Sequence, residues 1–430
     1  MGNFDHLPTD IVLDIITRLQ TETVLNCKLV CKPWRDLVSH HPSFSQLHLT
    51  HLNHSSTDSG KLSFLVKAEN LELHYFEYNE NNDETPIDSI KRMNFTPPFE
   101  FHYTFLGSFN GIVCFCGYKD YPVYICNPMT KQYVMIPEFD GSDCDDQFIY
   151  WSSGFGYLPS TDEYKVVKIF TFSTQLNIVE VLVYTLGSGN GWKSVGRFDI
   201  KEHRRRCVVE HGAVFVNGAL HWVDQGVGSV FVFDLTEEKF RELVSRPPLP
   251  TNSCSIWCDY TIGELGGVLY YAIKYRRRIT ECTCFDIWLL NNIPDMNEQV
   301  EHEPSGWSKV FSIPGREPLA FTKGGGVLCF DYWSLGIYDS IASNSKNLVD
   351  FSGFSQIIPH TNTLFSLEEL GEEDVYIMES AETEEDVYIM ESAETEEDVY
   401  IMESAETEET KNRDLKTAAC KLLPLLLFSS

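Results

Sequence analysis

The sequence predicts a multidomain protein of the α plus all-β class: a small helical unit, a large antiparallel β domain and an acidic tail. Apolar residues recur at helical spacing near the N-terminus, and many short Val/Ile/Tyr/Phe runs between Gly, Asn and Pro follow. A twelve-residue unit repeats near the end of the 430 residues. The composition, 43% hydrophobic and 13% aromatic, is typical of a folded protein that contains sheets.

The N-terminal unit, residues 1–48, is predicted to contain three short helices. The apolar side of the first helix combines steps of four with two neighbouring positions: Ile11, Ile15, Leu19, Val12 and Ile16. Pro8 suits its first turn, Thr21 or Thr23 can cap the second helix, and Pro33 can begin the third. A unit of this size buries only a small apolar core, and it has no metal ligands or paired cysteines to stabilise it. We therefore expect another protein to cover the apolar side chains that the unit cannot bury by itself.

Two motifs stand out in this unit, Leu7-Pro8 and the run Val30-Cys31-Lys32-Pro33-Trp34-Arg35, with Pro42 and Phe44 closing it. Their order and spacing resemble the F-box, the module by which substrate receptors dock on a Skp-type adaptor in cullin-RING ubiquitin ligases. The resemblance implies a docking surface made of apolar residues from the motifs and the helices: Leu7, Pro8, Ile15, Leu19, Val30, Cys31 and Trp34.

One turn departs from the family pattern. The sequence has Leu19-Gln20-Thr21-Glu22 where the family usually has Leu-Pro-x-Lys, so Glu22 replaces a positive charge and we expect an altered affinity for the adaptor. The apolar residues also have a purely structural interpretation, as the core of a small helical domain. Both interpretations hold in part, because a unit this small cannot turn every large side chain inward.

Residues 49–98 are predicted to be a connecting region with a hairpin formed by 62–66 and 71–76, and residues 99–350 an all-β domain. A unit recurs there in which glycine precedes an apolar strand, a second strand follows, and Gly-Trp marks a third at Gly191 and Gly306. The glycines belong to four pairs: Asn110-Gly111, Asn217-Gly218, Gly266-Gly267 and Gly325-Gly326. A repeat on the order of fifty residues predicts kelch-like β-propeller blades, with a twisted β-sandwich or an incomplete propeller as the alternative.

Four further motifs follow the N-terminal unit in order: Phe105-Leu106-Gly107-Ser108-Phe109-Asn110-Gly111, Cys126-Asn127-Pro128-Met129-Thr130-Lys131, Gly154-Phe155-Gly156-Tyr157 with Asp162-Glu163-Tyr164-Lys165, and Val183-Tyr184-Thr185-Leu186. They resemble the F-box-associated interaction domain of the large plant F-box family, which includes the S-locus F-box proteins. The resemblance covers most of residues 99–340. It implies a domain that recruits a protein target, and exposed loops are where we expect the contacts.

No catalytic, cofactor or metal site is predicted. Gly324-Gly325-Gly326 lacks the Lys-Ser/Thr of a phosphate loop and is interpreted as a β-turn, and no nucleophile motif accompanies His211 or His221. Asp234 and Asp286 are interpreted as turn residues at strand ends. The 13 cysteines form no Cys-x-x-Cys pair, which indicates buried hydrophobes in a reducing compartment, the cytoplasm or the nucleus. A propeller-type hydrolase is kept as an alternative.

The formal net charge of −30 is concentrated near the C-terminus. Between Glu372 and Glu409 there are 17 Asp or Glu and no Lys or Arg, which leaves about −13 for the rest. No part carries the basic stripe that nucleic-acid binding needs, and the basic run 203–206 is interpreted as an exposed loop. No secretory leader is recognised and the apolar run 422–428 is too short to cross a bilayer, so we expect no membrane association.

Three identical copies of Glu-Glu-Asp-Val-Tyr-Ile-Met-Glu-Ser-Ala-Glu-Thr run from Glu372 to Thr407. On a helix each copy would be turned by about 120° relative to the last, and on strands three acidic runs would repel one another. Residues 372–409 are therefore predicted to be disordered, between a linker at 351–371 and a tail at 410–430. Recent duplication without function is one interpretation; an acidic interaction tail, with Thr383 and Thr395 as kinase sites, is the other.

The sequence therefore predicts the substrate-recognition subunit of an SCF-type ubiquitin ligase. Its expected partners are a Skp-type adaptor, through it cullin and RING subunits, and a protein target of unknown identity. The chain itself would perform no chemistry and would act by proximity. The main alternative is an adaptor-bound scaffold or decoy that does not support ubiquitin transfer.

Overall fold

The computed structural model describes residues 7–69, 72–82, 84–98, 103–117, 122–139, 148–172, 177–200, 212–249, 259–276, 283–290, 306–339, 344–351, 353–380 and 387–388. Residues Met1–Ile389 form one compact unit. The second unit, Met390–Ser430, lies outside the described residues, together with the predicted tail at 410–430.

Four helices form the N-terminal unit, hereafter the box: α1 (Thr9–Thr17), α2 (Thr21–Cys27), α3 (Lys32–His40) and α4 (Phe44–Ser59). Pro8 precedes α1 and Pro33 lies in the first turn of α3, as predicted. The predicted cap at Thr21 or Thr23 is wrong, because Gln20 precedes α2 and makes no side-chain cap. The fourth helix, which the sequence did not predict, ends at the left-handed Gly60.

The β domain is a propeller of six sheets, or blades. Its strands, in chain order, are β1 (Lys61–Ala68), β2 (Leu73–Asn79), β3 (Ile90–Arg92), β4 (Thr104–Phe109), β5 (Ile112–Cys116), β6 (Val123–Asn127), β7 (Gln132–Ile136), β8 (Phe148–Leu158), β9 (Glu163–Phe172), β10 (Ile178–Thr185), β11 (Trp192–Asp199), β12 (Val214–Val216), β13 (Ala219–Val223), β14 (Val230–Asp234), β15 (Lys239–Phe240), β16 (Asp259–Leu265), β17 (Val268–Arg276), β18 (Thr283–Leu290), β19 (Trp307–Pro314), β20 (Glu317–Phe321), β21 (Gly326–Phe330), β22 (Ser334–Asp339), β23 (Asn344–Asp350), β24 (Phe354–Pro359), β25 (Tyr376–Ile377) and β26 (Val387–Tyr388).

Five blades are each built from four consecutive strands: blade one from β4–β7, blade two from β8–β11, blade three from β12–β15, blade four from β16–β19 and blade five from β20–β23. Blade six combines the two ends of the β region, because β24 pairs with β1 and β1 pairs with β2, which pairs with β3. Leu65 of β1 lies opposite Ile358 of β24. This pairing closes the ring, because the innermost strand of blade six comes from the end of the β region and the next three come from its start.

Two predicted boundaries are corrected by this closure. Residues 49–98 are not a connecting region, since they hold most of α4 and three strands of blade six; the hairpin predicted there corresponds to β1 and β2. Residues 351–371 are not a linker, since they begin with the innermost strand of that blade. The sandwich alternative is wrong, because six separate sheets follow one another around a ring.

The recurring glycine pairs form the turns between the first and second strands of four blades. Asn110 and Gly111 have φ values of 53° and 80°, the left-handed pair that a tight hairpin requires. A Cβ on Gly111 would lie 2.0 Å from Oγ1 of Thr363, so the turn also needs glycine for close approach. Trp192 and Trp307 begin the outermost strands β11 and β19, so the predicted unit covers the second to fourth strands of a blade.

After β24 the chain runs between the box and blade one, and we call residues 360–369 the closing segment. Along this segment alternate side chains face the box and the propeller, just as alternate side chains of a strand face opposite sides of a sheet. Leu364 packs in the box core with Val12, Ile16 and Phe44. On the other side, Phe365 and Leu367 pack in the apolar core formed by blades one and two.

Several smaller predictions can also be compared with the structure. Gly324 and Gly325 lie in the turn from β20 to β21, as predicted, and Gly326 begins β21. The cysteines Cys27, Cys114, Cys116, Cys126, Cys284 and Cys329 are buried. Asp234 ends β14 and accepts hydrogen bonds from the backbone N–H groups of Thr236 and Glu237, which confirms its turn role. Asp286 contradicts the prediction, because it is buried inside β18, with Nζ of Lys309 at 2.7 Å. The basic run 203–206 and His211 lie outside the described residues.

The predicted disorder of the acidic repeats is corrected for residues 372–380. β25, in the first copy, pairs with β7, and β26, in the second copy, pairs with β3, so blades one and six each gain a fifth strand. The acidic residues do not prevent this pairing, because the two copies add to edges of different blades. The rest of 372–409 lies outside the described residues.

Candidate adaptor-binding and target-binding surfaces

The first helix of the box presents two apolar sides. Val12 and Ile16 are buried in the box core, whereas Ile11 and Ile15 are 46% and 45% exposed. Leu7, one helical step before Ile11, is also exposed. Ile11 and Ile15 are four residues apart and lie above one another on the helix, and with Leu7 just before the helix they form an apolar stripe that the folded box leaves in water.

A second exposed apolar group follows α2. Leu29 is 77% and Val30 65% exposed, and Cys31, at the start of α3, is half-buried. Trp34 packs partly against the box core. Exposed apolar clusters of this kind are typical of protein interaction sites.

The seven predicted docking residues therefore differ in exposure. Leu7, Pro8, Ile15 and Val30 are exposed, while Leu19, Cys31 and Trp34 are half-buried. Ile11 and Leu29, which are not among the seven, are exposed beside them. The spacing of Ile11 from Leu7 and Ile15 could have identified it, but Ile11 and Ile15 were assigned to the same apolar side as the buried Val12 and Ile16.

The unusual turn before α2 faces the closing segment. Oγ1 of Thr21 donates a hydrogen bond to the carbonyl of Asn362 at 2.6 Å, and Nδ2 of Asn362 donates one to Oε1 of Glu22 at 2.7 Å. Both residues thus have a partner within the chain. Glu22 therefore supports the contact between box and propeller.

Further polar contacts hold the closing segment. Oγ of Ser45 in α4 donates to the carboxylate of Glu369, and Nδ2 of Asn127 in blade one donates to the carbonyls of Thr363 and Phe365 at 3.1 and 2.7 Å. Oγ1 of Thr363 donates to the carbonyl of Asn110 at 2.8 Å. Contacts on both sides of one short segment fix the box on the propeller.

His360 begins the closing segment and is buried. Its Nδ1 lies 2.7 Å from Oγ of Ser108, and its Nε2 lies 3.2 Å from Oδ1 of Asn362. A serine and a histidine at this distance resemble a nucleophile and its base. However, burial lowers the pKa of His360 to about 4, so the imidazole is a weak base at neutral pH and a structural role accounts for the contacts.

Acidification is expected to destabilise the propeller through two buried histidines. Burial lowers the pKa of both His360 and His221 to about 4. Between about pH 6.5 and 4 the unfolded chain binds protons that the folded chain cannot, so stability falls by on the order of 1 kcal/mol per pH unit for each histidine. We expect the urea midpoint to fall between pH 7 and 5, less steeply in a His360→Gln variant. Equal slopes for the two proteins would contradict the assignment to His360.

The centre of the propeller contains a cavity of about 1340 Å³. It is lined by inner strands and carries more acidic than basic side chains, namely Glu264, Glu317 and Asp331 against Lys274. Tyr332 is one of the lining residues, and the centroid of its exposed ring lies 4.6 Å from that of the neighbouring exposed Trp333. Exposed aromatic side chains beside a cavity are suited to hold another protein.

The turn that carries these rings is braced by Asp331. Its Oδ1 accepts hydrogen bonds from the backbone N–H groups of Trp333 and Ser334 at 2.8 Å, and its Oδ2 lies 3.1 Å from Nε of Arg316. Burial raises the pKa of Asp331, but these hydrogen bonds outweigh burial and the pKa is lowered. The carboxylate stays ionised near neutral pH and keeps the turn in place.

The described ranges contain neither a metal-binding cluster of side chains nor a membrane-spanning helix. No group of three or more His, Cys, Asp or Glu side chains in these ranges could hold a metal ion. Among the described helices, none combines the length and apolar character required to cross a bilayer. His221 is buried inside β13, with Nδ1 3.3 Å from the carbonyl of Val214.

Two protein-family models match the chain. Residues 61–299 match the model described as F-box associated beta propeller domain, and residues 4–49 match the F-box-like model. The first match covers more than half of the chain and includes strands of blades one to four and six. The second covers α1, α2 and α3 of the box.

Curated relatives from Arabidopsis thaliana agree with these matches. F-box protein At3g07870 is 28% identical over 275 residues, which span 56% of this chain and 61% of the relative. F-box/kelch-repeat protein At3g23880 is 26% identical, spanning 72% of this chain and 80% of the relative. A structure of a nidogen/laminin complex aligns over 70% of this chain at 12% identity with a TM-score of 0.38, too loosely to carry an argument.

Proposed function

The chain belongs to the F-box proteins that carry an F-box associated beta propeller domain, and we propose that it is the substrate-recognition subunit of an SCF-type ubiquitin ligase. The observation that carries the proposal is the exposed apolar surface of the box. It is formed by Leu7 before α1, Ile11 and Ile15 on α1, and Leu29 and Val30 after α2. Covering this surface with a protein partner would remove it from water, which is a main source of affinity in protein association.

In this proposal the Skp-type adaptor docks on the box and brings cullin and RING subunits. Leu7, Pro8, Ile15 and Val30 supply exposed contact area, and the half-buried Leu19, Cys31 and Trp34 shape its edge. The chain performs no chemistry. It raises the effective concentration of a bound target beside the ubiquitin-loaded enzyme.

The propeller holds the target in this proposal, at the cavity edge with Tyr332 and Trp333. The closing segment supports the arrangement, because a box fixed on the propeller presents the target at a defined place relative to the adaptor. We place this assembly in the cytoplasm or the nucleus, where the free cysteines of the propeller stay reduced.

The test is reconstitution. The chain is co-expressed with a Skp-type adaptor, purified by gel filtration, added to a cullin-RING complex, and assayed for ubiquitin transfer to proteins that the complex captures. A stoichiometric complex that recruits cullin and modifies a captured protein is the expected result. Cullin recruitment with capture but no transfer would indicate the scaffold or decoy role instead. Failure of the folded chain to bind any Skp-type adaptor would overturn the proposal.

A further inference from the structure

The first acidic repeat is bound at its start by the loop after β10. The backbone N–H of Gly187 donates a hydrogen bond to Oε1 of Glu372 at 2.7 Å, and the hydroxyl of Tyr184 lies 3.4 Å from Oε2 of the same carboxylate. A Cβ on Gly187 would lie 1.6 Å from the carbonyl oxygen of Leu370. Only glycine lets the chain pass this close, so Gly187 lies directly against Leu370 and Gly371, the two residues that precede the repeat.

The middle of the repeat adds to the outer edge of blade one. Tyr376 lies opposite Tyr133, with ring centroids 5.5 Å apart, and Ile377 lies opposite Gln132. The backbone N–H of Met378 donates to the carbonyl of Lys131 at 2.8 Å. An added edge strand is held by its backbone, while side-chain pockets select its sequence.

Met378 supplies such a selective contact. It is only 3% exposed and packs in an apolar cluster with residues of both blade six and blade one, among them Leu65, Leu73, Phe105 and Phe115. A flexible, polarisable methionine suits an irregular gap of this kind. The side chain therefore fills the seam between the two blades.

The end of the bound segment contacts a third part of the propeller. The backbone N–H of Thr96, after β3, donates to the carbonyl of Glu379 at 3.0 Å. Nζ of Lys131 donates to Oγ of Ser380 at 2.9 Å. Residues 372–380 thus contact the loop after β10, the edge of β7 and the chain after β3, and we call these three contact regions together the repeat site.

We propose that the repeat site is a peptide-binding site for an extended acidic segment with Glu at its first position, Tyr at its fifth and Met at its seventh, and that the three repeats are alternative occupants. The second copy, residues 384–395, and the third, 396–407, carry the same side chains at the same spacing. Strand β26 belongs to the second copy and lies on the edge of blade six. The second copy is therefore also able to add to a sheet edge.

Exchange between copies lengthens the chain before the bound segment and places Thr383 or Thr395 where Gly371 precedes the first copy. The side chains of the repeat itself would make the same contacts at the site, and the entropy of closing a loop grows slowly with its length. Loss of the first copy should therefore be compensated by the second. A site that depended on the first copy alone would not show this compensation.

Amide hydrogen exchange tests directly whether one copy of the repeat can replace another at the repeat site. The N–H groups of Gly187 and Thr96 belong to the propeller but donate to the repeat, so their protection reports occupancy by any copy. In Met378→Asp we expect protection within about threefold of the unchanged chain, and in Met378→Asp/Met390→Asp/Met402→Asp a loss of at least about tenfold.

Two outcomes would overturn the proposal. Equal loss in the single and triple variants would mean that only the first copy fits, and full protection in the triple variant would mean that the contacts do not hold the segment. Amides of β17 and β18, far along the chain from the site, report whether the propeller stays folded. If the triple Met variant does not fold, Glu372→Lys/Glu384→Lys/Glu396→Lys removes the contact with Gly187 and leaves the buried seam unchanged, with the same expected loss at the Gly187 amide.

Binding in trans provides an independent measurement. A fluorescein-labelled peptide, Glu-Glu-Asp-Val-Tyr-Ile-Met-Glu-Ser-Ala-Glu-Thr, should bind the triple Met variant, whose site is vacant. It should not bind the unchanged chain, where the tethered copies are present at an effective concentration on the order of millimolar. The same peptide with Asp in place of Met is the control. Equal anisotropy changes with both peptides, or none with the first, would contradict a sequence-selective site.

Discussion

Changing Ile15 to Asp is expected to lower the affinity of the chain for a Skp-type adaptor by at least about 100-fold. Ile15 is exposed at the C-terminal end of the apolar stripe, one helical turn after Ile11. In a complex the new carboxylate would be removed from water without a partner. The box should remain folded, because Val12 and Ile16 supply its core from the other side of the helix.

A matched substitution controls for added charge on exposed apolar surface. Val227 is 51% exposed in the turn before β14, and Val227→Asp should leave adaptor capture unchanged. The double change Leu7→Ala/Pro8→Ala should abolish capture without adding charge. Affinities are compared by surface plasmon resonance on purified adaptor, with circular dichroism to establish folding. Undiminished capture by folded Ile15→Asp would exclude this stripe as the docking surface.

Changing Leu364 to Asp is expected to unfold the box while the propeller remains folded. Leu364 belongs to the closing segment, yet its side chain packs in the box core with Val24 and Phe44. A carboxylate buried there would cost about 3 kcal/mol or more, a large share of the stability of so small a unit. Amides of α1–α4 should lose protection from hydrogen exchange, and adaptor capture should be lost with them.

The control for this change is Leu249→Asp, at an exposed leucine that follows blade three, which should leave both protection and capture intact. The two predictions are distinguishable, since Ile15→Asp should abolish capture with full protection of the box, and Leu364→Asp should abolish both. If Leu364→Asp kept the protection of α1 and the capture of adaptor, the closing segment would be no more than a linker.

Local patterns in the sequence were enough to predict most elements of the fold. The helices α1, α2 and α3 follow from apolar spacing and proline positions, and the Asn-Gly and Gly-Gly pairs predict tight turns because these residues adopt left-handed backbone angles readily. Blade six was not predicted, because Leu65 and Ile358 pair across almost the whole β region and neither stretch shows locally that it has a distant partner.

The exposed apolar surface of α1 also depends partly on local spacing and partly on contacts with distant residues. Periodicity identified both apolar sides of α1 but could not decide which one is buried, since Ile15 and Ile16 are chemically alike. That choice depends on where Leu364 and α4 pack, and only the folded chain shows this.

By itself, the sequence determined the kinds and order of most elements and the family, because helix spacing, turn residues and contiguous motifs are properties of neighbouring residues. Tertiary structure alone decided the closure of the ring, the partner of Glu22 and the binding of residues 372–380. Each of these depends on contacts between residues far apart in the chain. The charge of residues 372–380 predicts disorder, but the segment is bound because Met378 packs between two blades and the backbone pairs with the outer edge of β7.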